Sequence, residues 1–121
     1  MEQLSNEALF ACNEPGSAIA LVCVEQVKIS APGSRSEHVE AELSVEQTLC
    51  GSLPTRLIAW SFTSKGDTLL DSGKRYLIVL VAAQGYAPFG LGERILVPPG
   101  REAEAIEQHR KALSALKTPA R

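Results

Sequence analysis

The chain has 121 residues, which suits one domain and leaves no room for two. Hydrophobic residues make up 45% and charged residues 21%, a globular composition that excludes disordered and fibrous classes. The formal net charge of −2 argues against a protein that follows nucleic-acid phosphates, since such proteins carry a basic face. No apolar run approaches the ~20 residues of a membrane helix, and no basic start precedes an apolar stretch as in a signal peptide. We therefore expect a mature or intracellular form without a membrane span.

The chain opens with a short predicted turn of helix near Ser5, which Pro15 and Gly16 end. A first strand is predicted over about 18–30. In its first half this strand is apolar on both faces, so both faces must be covered there. A turn over 31–36 leads into the next strand.

The second strand is predicted over about 37–49, and its residues alternate between apolar and polar. Glu40, Glu42 and Glu46 share the polar face. This alternation is typical of a half-buried antiparallel strand. The first two strands therefore form a long hairpin with an acidic solvent face.

Three further strands and a helix complete the predicted elements. They cover about 55–63, 74–84, 94–97 and, for the helix, 101–117. Ile58, Trp60 and Phe62 share one face of the third strand, and we expect Trp60 in the core and not on a ligand platform. The fourth strand is apolar almost without interruption, which predicts a central strand covered on both faces. The helix carries an apolar stripe at helical spacing that includes His109.

The two strands with apolar residues on both faces indicate how the strands are arranged. In a five-stranded Greek-key barrel of the OB type, the first strand lies between the second and the fourth. The first and fourth strands would then share one exterior apolar patch, which only the terminal helix is free to cover. An immunoglobulin-like sandwich needs about seven strands. We therefore predict a single, mainly β domain over 1–121, with an OB-like barrel over about 17–98 and the C-terminal α-helix packed on strands 1 and 4.

Two short segments resemble motifs of netrin-like domains, the group that includes the tissue inhibitors of metalloproteinases and uncharacterised bacterial exported proteins. Residues 45–54 (VEQTLCGSLP) resemble V-x-x-v-L-K-G-x-l-P, and residues 73–80 (GKRYLIVL) are similar to G-x-r-Y-L-v-f-L. Residues 18–27 look like the first strand of that group. The resemblance spans about 8–98 and implies the same barrel, acting as an interaction module outside the cytoplasm.

Two departures from the netrin-like pattern limit what the resemblance implies. The metalloproteinase inhibitors begin with a Cys-x-Cys that chelates the target zinc. Here Cys12 is internal and is followed by Asn13 and Glu14, so inhibition by that route is not implied. Cys50 stands where the bacterial relatives tend to have lysine.

The three cysteines have no metal-ligand spacing. If the first hairpin is centred near Ser34, Ala18 lies opposite Cys50, and the geometry then permits a disulfide between Cys12 and Cys50. Two unrelated thiols are the alternative. One disulfide would fit an exported protein and three thiols a cytosolic one. Cys23 lies on the apolar face of the first strand, and we expect it to be a buried small hydrophobe.

No catalytic or metal-binding pattern is present in the sequence. His38 and His109 are the only histidines and lack metal-ligand spacing, and no G-x-S-x-G nucleophile motif occurs. We therefore expect no enzyme activity, no bound metal and no cofactor. A redox or catalytic use of Cys12 or Cys50 is the least favoured hypothesis.

The loop over 85–93 is the best functional candidate, because the loops after strands one and four flank the ligand face in OB barrels. Tyr86 and Phe89, together with Arg35 and His38 around the other loop, are predicted to form a recognition patch. The alternative is that Tyr86 and Phe89 fold back as a lid on the end of the barrel.

These features together predict a non-catalytic module that binds a protein partner in the cell envelope or extracellular space. The expected location is secreted or periplasmic, with the cytoplasm as the alternative. The second hypothesis is an OB-type binder of oligosaccharides or single-stranded nucleic acid. The acidic second strand counts against nucleic acid.

Overall fold

The computed structural model describes residues 2–30, 36–64, 70–82 and 89–117. In chain order the elements are α1 (Asn6–Phe10), a short 3₁₀ helix (Ala11–Asn13), β1 (Ser17–Ser30), β2 (Ser36–Cys50), β3 (Arg56–Ser64), β4 (Arg75–Ala82), β5 (Phe89–Val97) and α2 (Glu102–Lys117). The strands form a closed barrel in the order β1-β2-β3-β5-β4. Every strand pair is antiparallel except β3 with β5. The predicted OB-like barrel with a terminal helix is confirmed.

The interior of the barrel is filled by a cluster of aliphatic side chains with one tyrosine, here called the interior core. Its buried members are Ala20, Val22, Val24, Ala41, Leu43, Leu57, Ala59, Leu70, Tyr76, Ile78 and Leu80. On β1 and β4 these residues alternate with a second set that points outward, since successive side chains of a strand face opposite sides.

The second set packs between the barrel and the helices and is called the outer layer. Its buried members are Leu4, Ala8, Leu9, Ile19, Leu21, Leu77, Val79, Ile95, Val97, Ala105 and Leu113. Helix α2 contributes Ala105 and Leu113, while β1 and β4 contribute the residues beneath them. The predicted seat of the helix on strands 1 and 4 is therefore confirmed. Glu42 and Glu46 on β2 stay exposed, whereas Leu49 and Cys50 at the end of β2 pack on the outer layer.

The β1–β2 hairpin contains three register shifts. Near its turn Ser30 pairs with His38, which fits a hairpin centred near Ser34. At its open end Ile19 pairs with Cys50, whereas an uninterrupted ladder would place Ala18 there. The prediction for this end was wrong by one residue, because bulges insert unpaired residues that sequence alternation does not reveal.

Strand β5 begins at Phe89, five residues before the predicted start. Gly90 and Gly92 suggested a loop, because glycine is depleted in strands. In the structure Gly90 pairs with both Trp60 and Val81, so it belongs to the segment that closes the barrel. A Cβ atom on Gly92 would lie 3.0 Å from the Val79 carbonyl oxygen. The glycine therefore allows a close approach of β4 and β5.

Cys12 and Cys50 form a disulfide, with their Cα atoms 5.8 Å apart. The bond joins the end of the N-terminal helical segment to the end of β2, and both cysteines pack on the outer layer. Gly51, which follows Cys50, has a φ of 81° and turns the chain beneath Ser17. Of the two alternatives that the sequence left open, the Cys12–Cys50 disulfide is the one that the structure contains.

Cys23 is a free cysteine and is only partly buried, so the prediction of a fully buried thiol was wrong. It lies in β1 between Ser44 of β2 and Arg75 of β4. Both neighbours are polar, because this part of the barrel surface lies beyond the outer layer. No helix in the described part of the chain is long and apolar enough to cross a membrane.

Candidate functional site

The outer surface of β2 and β3 is the side of the barrel that the outer layer does not include. It is formed by two cross-strand pairs, Glu40 with Trp60 and Glu42 with Ile58. These four residues are called the β2–β3 face. None of them belongs to the interior core or packs on the outer layer.

Ile58 and Trp60 give the β2–β3 face its apolar character. Ile58 is 44% exposed and Trp60 is partly buried. Along β3 they alternate with Leu57 and Ala59, which are buried in the interior core. The expectation that Trp60 lies in the core was wrong. On β3 the interior therefore accepts Leu57 and Ala59, whereas Ile58 and Trp60 face outward.

Carboxylates lie beside these apolar side chains. Glu40 is opposite Lys28 of β1, and Glu42 is opposite Gln26. Together with Ile58 these four residues line a shallow cleft of about 60 Å³. Pockets for small organic ligands usually hold about 300–1,000 Å³. The cleft on the β2–β3 face is therefore smaller than the usual pocket for a small organic ligand.

An ion pair lies farther along β2, toward its disulfide end. The Glu46 carboxylate accepts a hydrogen bond from Arg75 Nε at 2.6 Å. This hydrogen bond and the negative charge of Glu46 raise the pKa of Arg75. The pair links β2 to β4 across β1. It makes the barrel surface next to Cys23 polar.

Of the residues predicted to form a recognition patch, the structure places His38 and Phe89. Arg35 and Tyr86 fall outside the described residues. His38 pairs through its backbone with Ser30 and Phe62. It lies two positions along β2 from Glu40, and its side chain is outside the part of the chain that the structure describes.

Phe89 is placed by the structure in the wall of the barrel. It is the first residue of β5, pairs with Ala59 and Ala82, and packs against the interior core. For Phe89 this is the alternative in which the aromatic side chain folds back on the barrel. Ile58, which is exposed, and Trp60, which is partly buried, were not predicted to form a binding surface.

Larger grooves follow the two sides of α2. They hold about 520 and 580 Å³, and Glu107 and Lys111 line both of them. These two side chains are exposed and pair with each other at 3.4 Å. A smaller apolar cleft of about 190 Å³ lies between Leu96 and the start of α2. Within the described ranges no group of three or more histidine, cysteine, aspartate or glutamate side chains is placed to hold a metal ion.

Comparison of the chain with protein-family models, with curated proteins and with solved structures found no match. The netrin-like resemblance therefore rests on two short motifs and remains a prediction. The geometry of the barrel surface is what carries the functional argument.

Proposed function

We propose that this domain is a non-catalytic module that binds a protein partner through the β2–β3 face. The observation that carries the proposal is the position of Ile58 and Trp60. Both are large apolar side chains directed away from the interior core on a surface that neither helix covers. Protein interfaces are enriched in aromatic residues at their centre and have a polar rim.

The charge and shape of the β2–β3 face favour a protein over other ligands. Glu40 and Glu42 lie directly beside Trp60 and Ile58, so a phosphate backbone would meet negative charge. A contact surface with a cleft of only about 60 Å³ gives a small molecule little to enclose. A protein segment with apolar side chains fits both properties.

The predicted loop residues would border the same surface. In OB-type barrels the loops after the first and fourth strands flank the face of strands 2 and 3. Arg35, His38 and Tyr86 would then lie at its rim, while Trp60 would form its centre. A netrin-like origin, proposed on the two short motifs, agrees with such a module.

We also propose an oxidising compartment for the protein, either the extracellular space or the periplasm. Disulfides form and persist in such compartments and are rare in the cytosol. The Cys12–Cys50 bond supports this location.

The proposal is tested by selecting peptides on the folded domain. A random peptide library displayed on phage is panned on the wild-type protein, and the dissociation constants of enriched peptides are measured by fluorescence polarisation. Ile58→Ser is compared with Leu96→Ser, because Ile58 and Leu96 are both 44% exposed and Leu96 lies outside the β2–β3 face. We expect at least about fivefold weaker binding for Ile58→Ser, since truncation of a central contact costs more than ~1 kcal/mol.

Leu96→Ser should bind the selected peptides like the wild type. Equal binding by Ile58→Ser, or weaker binding only by Leu96→Ser, would contradict the assignment of the face. Binding of a single-stranded oligonucleotide or an oligosaccharide that Ile58→Ser removes, without any enriched peptide, would contradict the class of partner.

A further inference from the structure

Residues 2–13, here called the N-terminal strap, cover part of the outer layer. Leu4 and Leu9 of the strap are each 1% exposed and belong to the outer layer. Ser5 caps α1, since its side chain accepts a hydrogen bond from the Ala8 N–H. The strap is therefore an ordered cover whose apolar residues face the barrel.

Two side chains from distant parts of the chain hold the start of the strap. The backbone N–H of Leu4 donates to Nε2 of His109 at 3.1 Å. The backbone N–H and the hydroxyl of Ser5 donate to the two carboxylate oxygens of Glu93, at 2.6 and 2.8 Å. The other end of the strap is held covalently by the disulfide of Cys12. Both acceptors at the start of the strap can bind a proton.

The environment of His109 determines which ring nitrogen carries the proton. The imidazole is 0% exposed. Its Nδ1 lies 2.8 Å from the carbonyl oxygen of Ala105, so Nδ1 donates and the lone pair of Nε2 accepts from Leu4. A proton on Nε2 would turn this acceptor into a donor that faces the Leu4 N–H. Protonated His109 and a docked Leu4 are therefore incompatible.

We propose that the N-terminal strap is an acid-released cover. Protonation of the His109 imidazole detaches the start of the strap from the outer layer. The disulfide keeps the strap attached at Cys12, so the opening is a hinged and reversible motion. Release uncovers the apolar surface beneath Leu4 and Leu9, which lies on a different side of the barrel from the β2–β3 face.

The charged groups around the two anchors do not replace the lost hydrogen bonds. The charged neighbours are Glu2 and Glu7 on the strap, Arg94 next to Glu93 on β5, and Glu107 and Arg110 on α2. All of them are at least partly exposed, where solvent screens their charges. The residues of β1 and β4 in the outer layer are apolar. The response of His109 to acid therefore depends on its hydrogen bonds with the Leu4 N–H and the Ala105 carbonyl oxygen.

The test is amide hydrogen exchange, measured by NMR on the whole chain and corrected for the intrinsic effect of pH. The pH is lowered from about 8 to about 5, the interval in which histidine ordinarily changes charge. We expect the protection of the Leu4 amide to fall at least about tenfold, because a buried donor loses its acceptor. The Val24 amide, which donates to the Lys74 carbonyl at 3.0 Å inside the barrel, should keep its protection.

Two variants separate the titration from a loss of contact. In His109→Gln combined with Glu93→Gln, amide oxygens still accept hydrogen bonds but bind no proton in this interval, so the pH dependence of the Leu4 amide should disappear. In Gln108→Ala, which removes the bond between the side chains of Gln108 and Gln3, the pH dependence should remain.

Three results would overturn the proposal. They are a Leu4 protection that does not change with pH in the wild type, an equal fall for Val24, and a pH dependence that persists in the double variant. The first two are measured on the wild type alone, so they decide the question even if the double variant does not fold.

Discussion

A variant in which Cys12 and Cys50 are both replaced by alanine is expected to remain folded but to lose about 4 kcal/mol of the free energy of unfolding. The disulfide closes a loop with a sequence separation of 38 residues, and this loop contains the whole β1–β2 hairpin. The loss follows from the greater conformational freedom of the unfolded chain once this loop is open. Alanine is preferred to serine because both cysteines pack on the outer layer, where a hydroxyl group would need a partner.

The free energy of unfolding is measured by urea denaturation, followed by far-ultraviolet circular dichroism at neutral pH. Cys23→Ala is the matched control. Cys23 is a partly exposed free thiol outside both apolar clusters, so its replacement should change stability by less than about 0.5 kcal/mol. Alkylation of the denatured, unreduced wild type followed by intact-mass measurement should add one label.

The reasoning would be refuted if the double variant lost less than about 1 kcal/mol, well outside the usual range for a native disulfide. A loss equal to that of Cys23→Ala would have the same meaning. Three labels on the unreduced wild type would show that the bond does not form in solution.

Four further substitutions test the packing and the helix start. Gly51→Ala should cost about 2 kcal/mol or more of unfolding free energy, because φ is +81° and a Cβ would lie 2.6 Å from the Ser17 oxygen. Gly73→Ala, with φ of +83° but open space, should cost only about 1 kcal/mol in the same urea assay. Leu113→Ala, at a helix position 6% exposed, should cost about 2–5 kcal/mol in that assay. The backbone N–H group of Glu102 itself, and then that of Gly100, lower the pKa of the Glu102 carboxyl from about 4.5. Its stabilising effect relative to Glu102→Gln should therefore be present above that pH and disappear as the pH falls below it, in melting temperatures measured across the acid range.

The architecture was accessible from the sequence because two strands carry an unusual pattern. The first and fourth strands are apolar on both faces, and only adjacent strands beneath a helix satisfy that pattern in a five-stranded barrel. Leu77 and Val79 face the outer layer while Ile78 and Leu80 face the interior. The position of α2 followed from the same residues.

The details that escaped prediction depend on how the barrel closes. On β3 both faces are apolar, and Trp60 was expected in the core, whereas the interior accepts Leu57 and Ala59. The start of β5 was missed because Gly90 and Gly92 have poor strand propensity but permit close strand packing. The bulges in the first hairpin do not visibly interrupt the alternation of apolar and polar residues, so the sequence does not reveal them.

The candidate site could be predicted only in outline. The sequence directed attention to the loops around Arg35 and Tyr86, since OB-type barrels bind ligands near them. The outward direction of Ile58 and Trp60 became clear only once the inward-facing residues of β3 were known. The role of His109 was equally hidden, because its partner Leu4 is 105 residues away in the sequence.

Trp60 is the single tryptophan of the chain, so its fluorescence reports on the β2–β3 face without a label. The most direct test of the binding proposal is a titration of the wild-type domain with a selected peptide, followed through Trp60 emission and its quenching by acrylamide. Binding at the β2–β3 face predicts a changed emission and protection from acrylamide that saturate with the dissociation constant measured by polarisation. Unchanged emission and unchanged quenching at saturating peptide would contradict the assignment of this face as the recognition surface.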